Sequence, residues 1–115
     1  MPRPRSSLAT AALTRSASVF AALGDETRLR LVSRLCDSGP MSIANLSTGF
    51  AITRQAVTKH LHVMEDAGLV RSSRRGRESV WQLQQARLAD VRRYLQLVSE
   101  EWDETIGRLK RYVER

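Results

Sequence analysis

Over the last third of the chain, apolar residues recur three and four positions apart: Leu88, Val91, Leu95, Val98, Trp102, Ile106, Leu109 and Val113. That period belongs to one face of an α-helix and predicts a long final helix over 86–113. Toward the other end, Leu8, Ala12, Val19 and Leu23 fall near the same spacing and predict a first helix over 8–22. Gly24 breaks it. Asp25 can then accept from the free amides of a second helix built on Leu29, Leu31, Val32 and Leu35, which Gly39 and Pro40 end. Ser42 is placed to cap a short third helix over about 43–48, with Ile43 and Leu46 on its inner side and Gly49 after it. Thr53 caps a fourth, which runs to about Asp66 before Gly68 stops it.

Beyond Gly68 the pattern shortens. Residues 69–73 and 78–83 read as two strands joined across Arg74, Arg75, Gly76 and Arg77, with Trp81 and Leu83 alternating onto one face. A lone hairpin is unstable in water, so that face must pack on the helices. The expected fold is mainly α with a small β-hairpin, in the order α-α-α-α-β-β-α, which describes a winged helix-turn-helix. Residues 1–7 form a flexible basic tail and 8–115 a single domain. Within it, 42–66 is the helix-turn-helix, 69–83 the wing, and 8–22 and 86–113 the helices available for dimerisation. No segment repeats.

The fourth helix is the most informative stretch. At about 100° of turn per residue, Arg54, Gln55, Thr58, Lys59 and His62 fall within one arc of about 140°, and Ala56, Val57, His60, Leu61, Val63 and Met64 fall on the opposite side. One face is therefore buried and the other is wholly polar, with hydrogen-bonding groups. Such a face is either simply solvated or suited to the major groove of B-DNA, where Arg and Lys match guanine and phosphate acceptors and Gln matches adenine. The hairpin adds Arg74, Arg75 and Arg77. Three guanidinium groups so close repel one another unless solvated or met by an anion, and contact with phosphate or a minor groove is the use that fits.

Composition sharpens this without deciding it. A 115-residue chain that is 42% hydrophobic can build one modest core. Its formal net charge of +7 favours a polyanionic partner. The excess is local: 53–80 holds six basic and three acidic residues and 1–15 holds three Arg and no acid, while 16–52 balances and 86–115 carries seven against six. Cys36 is the single cysteine, so no internal disulfide forms and a reducing, cytoplasmic setting is expected. No apolar run reaches membrane-spanning length, and no membrane partner is expected. Arg3, Arg5, Arg15 and the early serines superficially match an organelle transit peptide, although the same stretch reads as a tail entering a helix.

Four ordered motifs carry a family resemblance: Ala22 through Leu31 (ALGDETRLRL), Thr58-Lys59-His60-Leu61, Met64 through Val70 (MEDAGLV) and the Gly76-Arg77 wing. Together they resemble the ArsR/SmtB winged-helix repressors, from about residue 15 onward. The resemblance implies a homodimer formed largely through its terminal helices, binding an inverted-repeat operator in double-stranded DNA, in most cases to repress, with autoregulation and an unknown small-molecule or protein inducer both open. The run Trp102, Ile106, Leu109, Tyr112 is most similar to branches without metal ligands.

The implied site residues are Thr53, Arg54, Gln55, Thr58, Lys59, His62, Arg74, Arg75 and Arg77 for DNA. Leu88, Val91, Leu95, Val98, Trp102, Ile106, Leu109 and Val113 are those for the dimer. Where the family's metal sensors resemble a Cys-x-Cys pair, this chain has Ser42 and Ala44, and no Cys or His follows His62, so no metal or other cofactor is expected. His60 reads as a packed structural residue, Arg28 as a paired structural arginine and Cys36 as a small core residue. Glu100, Glu101, Asp103 and Glu104 read as a solvated face. No phosphate loop, nucleophile with a base or paired carboxylates outside that face point to an enzyme. The rival reading is a winged helix used for RNA binding or protein assembly.

Overall fold

The computed structural model describes residues 4–114 of the chain. Its elements run α1 (Pro4–Leu23), α2 (Glu26–Ser38), β1 (Met41–Ser42), α3 (Ile43–Ser47), α4 (Arg54–Asp66), β2 (Val70–Arg75), β3 (Glu78–Leu83) and α5 (Gln85–Val113). The three helix starts expected from cap residues are made by those side chains. Asp25 accepts from the Arg28 amide at 3.0 Å, Ser42 from Asn45 at 3.3 Å and Thr53 from Ala56 at 3.0 Å. Each satisfies an amide that the first turn leaves without an intrahelical partner.

Two boundaries move. α1 opens at Pro4 instead of residue 8, because a proline at the first helical position lacks only an amide that would be unpaired anyway. Residues 1–3 of the expected tail, and the side chains of Leu8 and Ala12, lie outside what is described. At the other end of the domain the hairpin closes more tightly than expected. Arg75 pairs with Glu78, so Arg74 and Arg75 belong to β2, and only Gly76 and Arg77 form the turn. Gly76 has φ 64°, which a two-residue hairpin turn needs at its first position.

β1 is an addition to the expected pair of strands. Met41 and Ser42 lie antiparallel to Trp81 and Val80, making a three-stranded sheet in the order β1-β3-β2. The sheet closes over a core in which Leu31, Leu46, Val57, Leu61, Met64 and Leu69 are fully buried, joined by Val19, Trp81 and Val91. α3 and α4 thus form a helix-turn-helix, packed against α2 and followed by a β-sheet wing, a mainly α winged architecture as expected. Arg34 braces it, donating to the Leu46 carbonyl at 2.9 Å and lying over the Phe50 ring at 4.6 Å.

α1 lies along α5, with the Phe20 ring edge-on to Tyr94 at 5.8 Å. The molecule measures 66 × 31 × 20 Å with a radius of gyration of 18.7 Å, against about 13 Å for a compact domain of roughly 100 residues. The excess length is in α5. Leu88 and Val91, expected at a dimer interface, pack against the core of their own chain, where α5 lies against α1. Leu95, Val98, Trp102, Ile106, Leu109 and Val113 are exposed, Trp102 by 63% and Val113 by 73%. Cys36 is exposed, not a core residue, since Leu35 takes the inward position and the next residue turns away from it. Among the described residues no helix is long and apolar enough to cross a membrane.

Candidate nucleic-acid interface

α4 is held from behind and bare in front. Val57, Leu61 and Met64 are fully buried, while Arg54, Gln55 and Lys59 are exposed. Its first two turns border a shallow hollow lined by Thr53, Arg54, Gln55, Ala56, Thr58 and Lys59. The burial is slightly narrower than the helical arc implies. Val63, at the edge of the apolar side, is 43% exposed, since none of the described elements covers that edge.

The five polar side chains expected on the open face are not equivalent. Among the described residues the side chains of Arg54, Gln55 and Lys59 make no hydrogen bond or ion pair, whereas Thr58 donates its hydroxyl to the Arg54 carbonyl at 2.8 Å. That leaves Thr58 its methyl group and lone pairs. His62 turns sideways: its Nδ1 lies 3.0 Å from Glu65 Oε1, and its ring meets Trp81 edge-on at 5.6 Å. It therefore joins α4 to β3 at the seam between helix and wing. The spacing of His62 and Glu65, three apart on a helix, was available in the sequence; the contact with Trp81, nineteen residues on, was not.

The wing carries its charge differently from the single crowded turn that was expected. Arg74 and Arg75 are successive residues of a strand and point to opposite faces, and Arg77 occupies the turn. All three are exposed, and among the described residues none takes part in an ion pair. A flexible cation at each face of the ribbon and one at its tip can meet phosphates on either side of a groove.

Behind α4 the structural residues are placed as the sequence implied. Arg28 donates through Nε to the Ala22 carbonyl, and its Nη1 lies 3.2 Å from His60 Nδ1, tying α1 and α2 to α4. The Asp25 carboxyl beside them is held below its ordinary value, chiefly by the Arg28 backbone amide; partial burial opposes this, and the Arg28 guanidinium and His60 add to it. Among the described residues no group of three or more His, Cys, Asp or Glu is placed to hold a metal ion. The acidic run of α5 includes Glu104, which pairs with Arg108 at 3.6 Å.

Residues 23–73 match the family model described as a helix-turn-helix domain. The HTH-type transcriptional regulator Rv2034 of Mycobacterium tuberculosis is 34% identical over 96 residues, which cover 73% of this chain and 89% of that protein. Among solved structures, an ArsR-like transcriptional regulator from Rhodococcus sp. RHA1 superposes with a TM-score of 0.74 at 36% identity, covering 86% of this chain and 92% of the other. The homodimeric winged helix-turn-helix DNA-binding domain Mb0332 of Mycobacterium bovis shares the fold, with a TM-score of 0.60 at 24% identity over 86% of this chain and 88% of its own.

Proposed function

The chain belongs to the ArsR-like winged helix-turn-helix transcriptional regulators, and on that premise we propose that it is a homodimeric repressor that reads an inverted-repeat operator in double-stranded DNA. The observation that carries this reading is the open face of α4: Arg54, Gln55 and Lys59 project from a helix anchored on its other side by the buried Val57, Leu61 and Met64, beside a wing with three arginines that pair with no acid among the described residues. A helix so held presents base-reading groups in fixed directions, and the wing adds sequence-independent phosphate contacts. Its place of work is the cytoplasm.

The dimer rests on the apolar stripe of α5. Full burial is worth about 1.5–3 kcal/mol per large apolar side chain. Three such side chains from each protomer already reach the scale of the roughly 4–15 kcal/mol lost on association. Leu95, Val98, Trp102, Ile106, Leu109 and Val113 offer six per protomer. A closed two-fold pairing of these helices also sets two copies of α4 against two half-sites.

The test is competition between duplex DNA from the region upstream of the chain's own gene and RNA of the same sequence. Binding that duplex RNA cannot displace supports the reading. Equal or stronger RNA competition would make the chain an RNA-binding or assembly module instead.

A further inference from the structure

A cleft of about 900 Å³ opens where the end of α2, the end of β3 and the start of α5 meet. Its apolar lining includes Leu35, Leu83 and Leu88, and Arg92 and Arg93 of α5 line it as well. The one acidic residue of the lining, Asp90, is engaged by Arg87 at 3.1 Å. Both arginines are exposed, and among the described residues neither makes a hydrogen bond or ion pair. Free guanidinium groups bordering an apolar hollow of this size are complementary to a small molecule with an anionic head and a hydrocarbon body.

We propose that this cleft binds an amphipathic carboxylate, its head on Arg92 and Arg93 and its body against Leu35, Leu83 and Leu88. The apolar lining is what selects this occupant over a nucleic-acid phosphate, because a phosphodiester has no hydrocarbon body to bury there. A planar guanidinium meets a carboxylate through two parallel hydrogen bonds, which an uncharged amide of the same shape does not reproduce. Because the cleft touches both β3 of the wing and the start of α5, an occupant would bias the wing against the dimer helix. This last step, coupling to DNA, rests on the function proposed above; binding itself does not.

The experiment measures saturation-transfer NMR on the full chain, without DNA, using octanoate, 4-phenylbutyrate and indole-3-propionate, each paired with its primary amide. At least one carboxylate should bind about tenfold more tightly than its amide. The Arg92→Gln/Arg93→Gln variant, with an unchanged melting temperature, should lose that preference. Arg93→Gln alone serves as the second variant should the double one unfold. Three results overturn the proposal: no carboxylate binds, the amides bind equally, or the variant keeps the preference. A variant that loses affinity for duplex DNA in the absence of any carboxylate also overturns it, by making Arg92 and Arg93 phosphate contacts. Coupling is read separately as a change in operator affinity on adding the best carboxylate, so failure of the cleft and failure of the DNA-reading proposal give different results.

Discussion

Gln55 and Arg75 are both exposed and polar, yet their surroundings suit them to different roles in the function we propose. Gln55 rides on a helix anchored by Val57 and Leu61, so its amide is aimed; Arg75 is a flexible cation on a ribbon. Gln55→Ala should cost roughly 1–3 kcal/mol on the operator and much less on scrambled duplex if the amide makes a two-bond base contact. Arg75→Ala should weaken both duplexes alike and reduce the steepness of salt dependence by about one unit. Salt titrations of the three proteins on both duplexes measure this. A reversal of the two patterns would make the wing the reader. A second prediction concerns Asp25, whose lowered carboxyl value means the folded state binds its proton less readily than the unfolded chain. Its contribution is therefore full above the ordinary carboxylate value and lost as pH falls through the lowered one. The melting temperature of wild type should exceed that of Asp25→Asn at neutral pH, and the gap should close below about pH 4. A gap independent of pH would show that the charge of Asp25 plays no part.

At the scale of elements, local rules carried well. Asp25, Ser42 and Thr53 were legible as caps because a cap needs only its own side chain and the next three amides. What failed to show depends on neighbours distant in sequence. β1 is two residues long and exists because β3 lies beside it, which no run of two residues can signal. The hairpin arginines read as one turn because a strand's end is set by its partner's register, here Arg75 against Glu78. The stripe of α5 was visible as a single seam. Its division into Leu88 and Val91, which pack against the chain's own core, and the exposed residues from Leu95 onward, which we propose meet a partner, appears only when α1 lies beside α5. That division locates the next prediction. Leu95→Glu or Ile106→Glu places a charge in the proposed dimer seam outside the monomer core. Sedimentation should then give a folded monomer where wild type gives twice the monomer mass. A wild-type monomer at micromolar concentration, or a variant that remains dimeric, would contradict the seam.

The whole molecule is an elongated body in which one long helix has two differently placed ends. The near end of α5 completes the winged domain, and its far end presents an apolar face that the chain does not cover with its described residues. In the dimer we propose, pairing two such chains would set a fixed spacing between two α4 helices, as a reader of symmetric DNA requires. The direct measurement is footprinting of the protein on the DNA upstream of its own gene. The account predicts a bounded protected segment containing an inverted repeat, its half-sites about one helical turn of roughly 10 base pairs apart or a multiple of it. Protection without boundaries, or none at concentrations where the protein is dimeric, would contradict it.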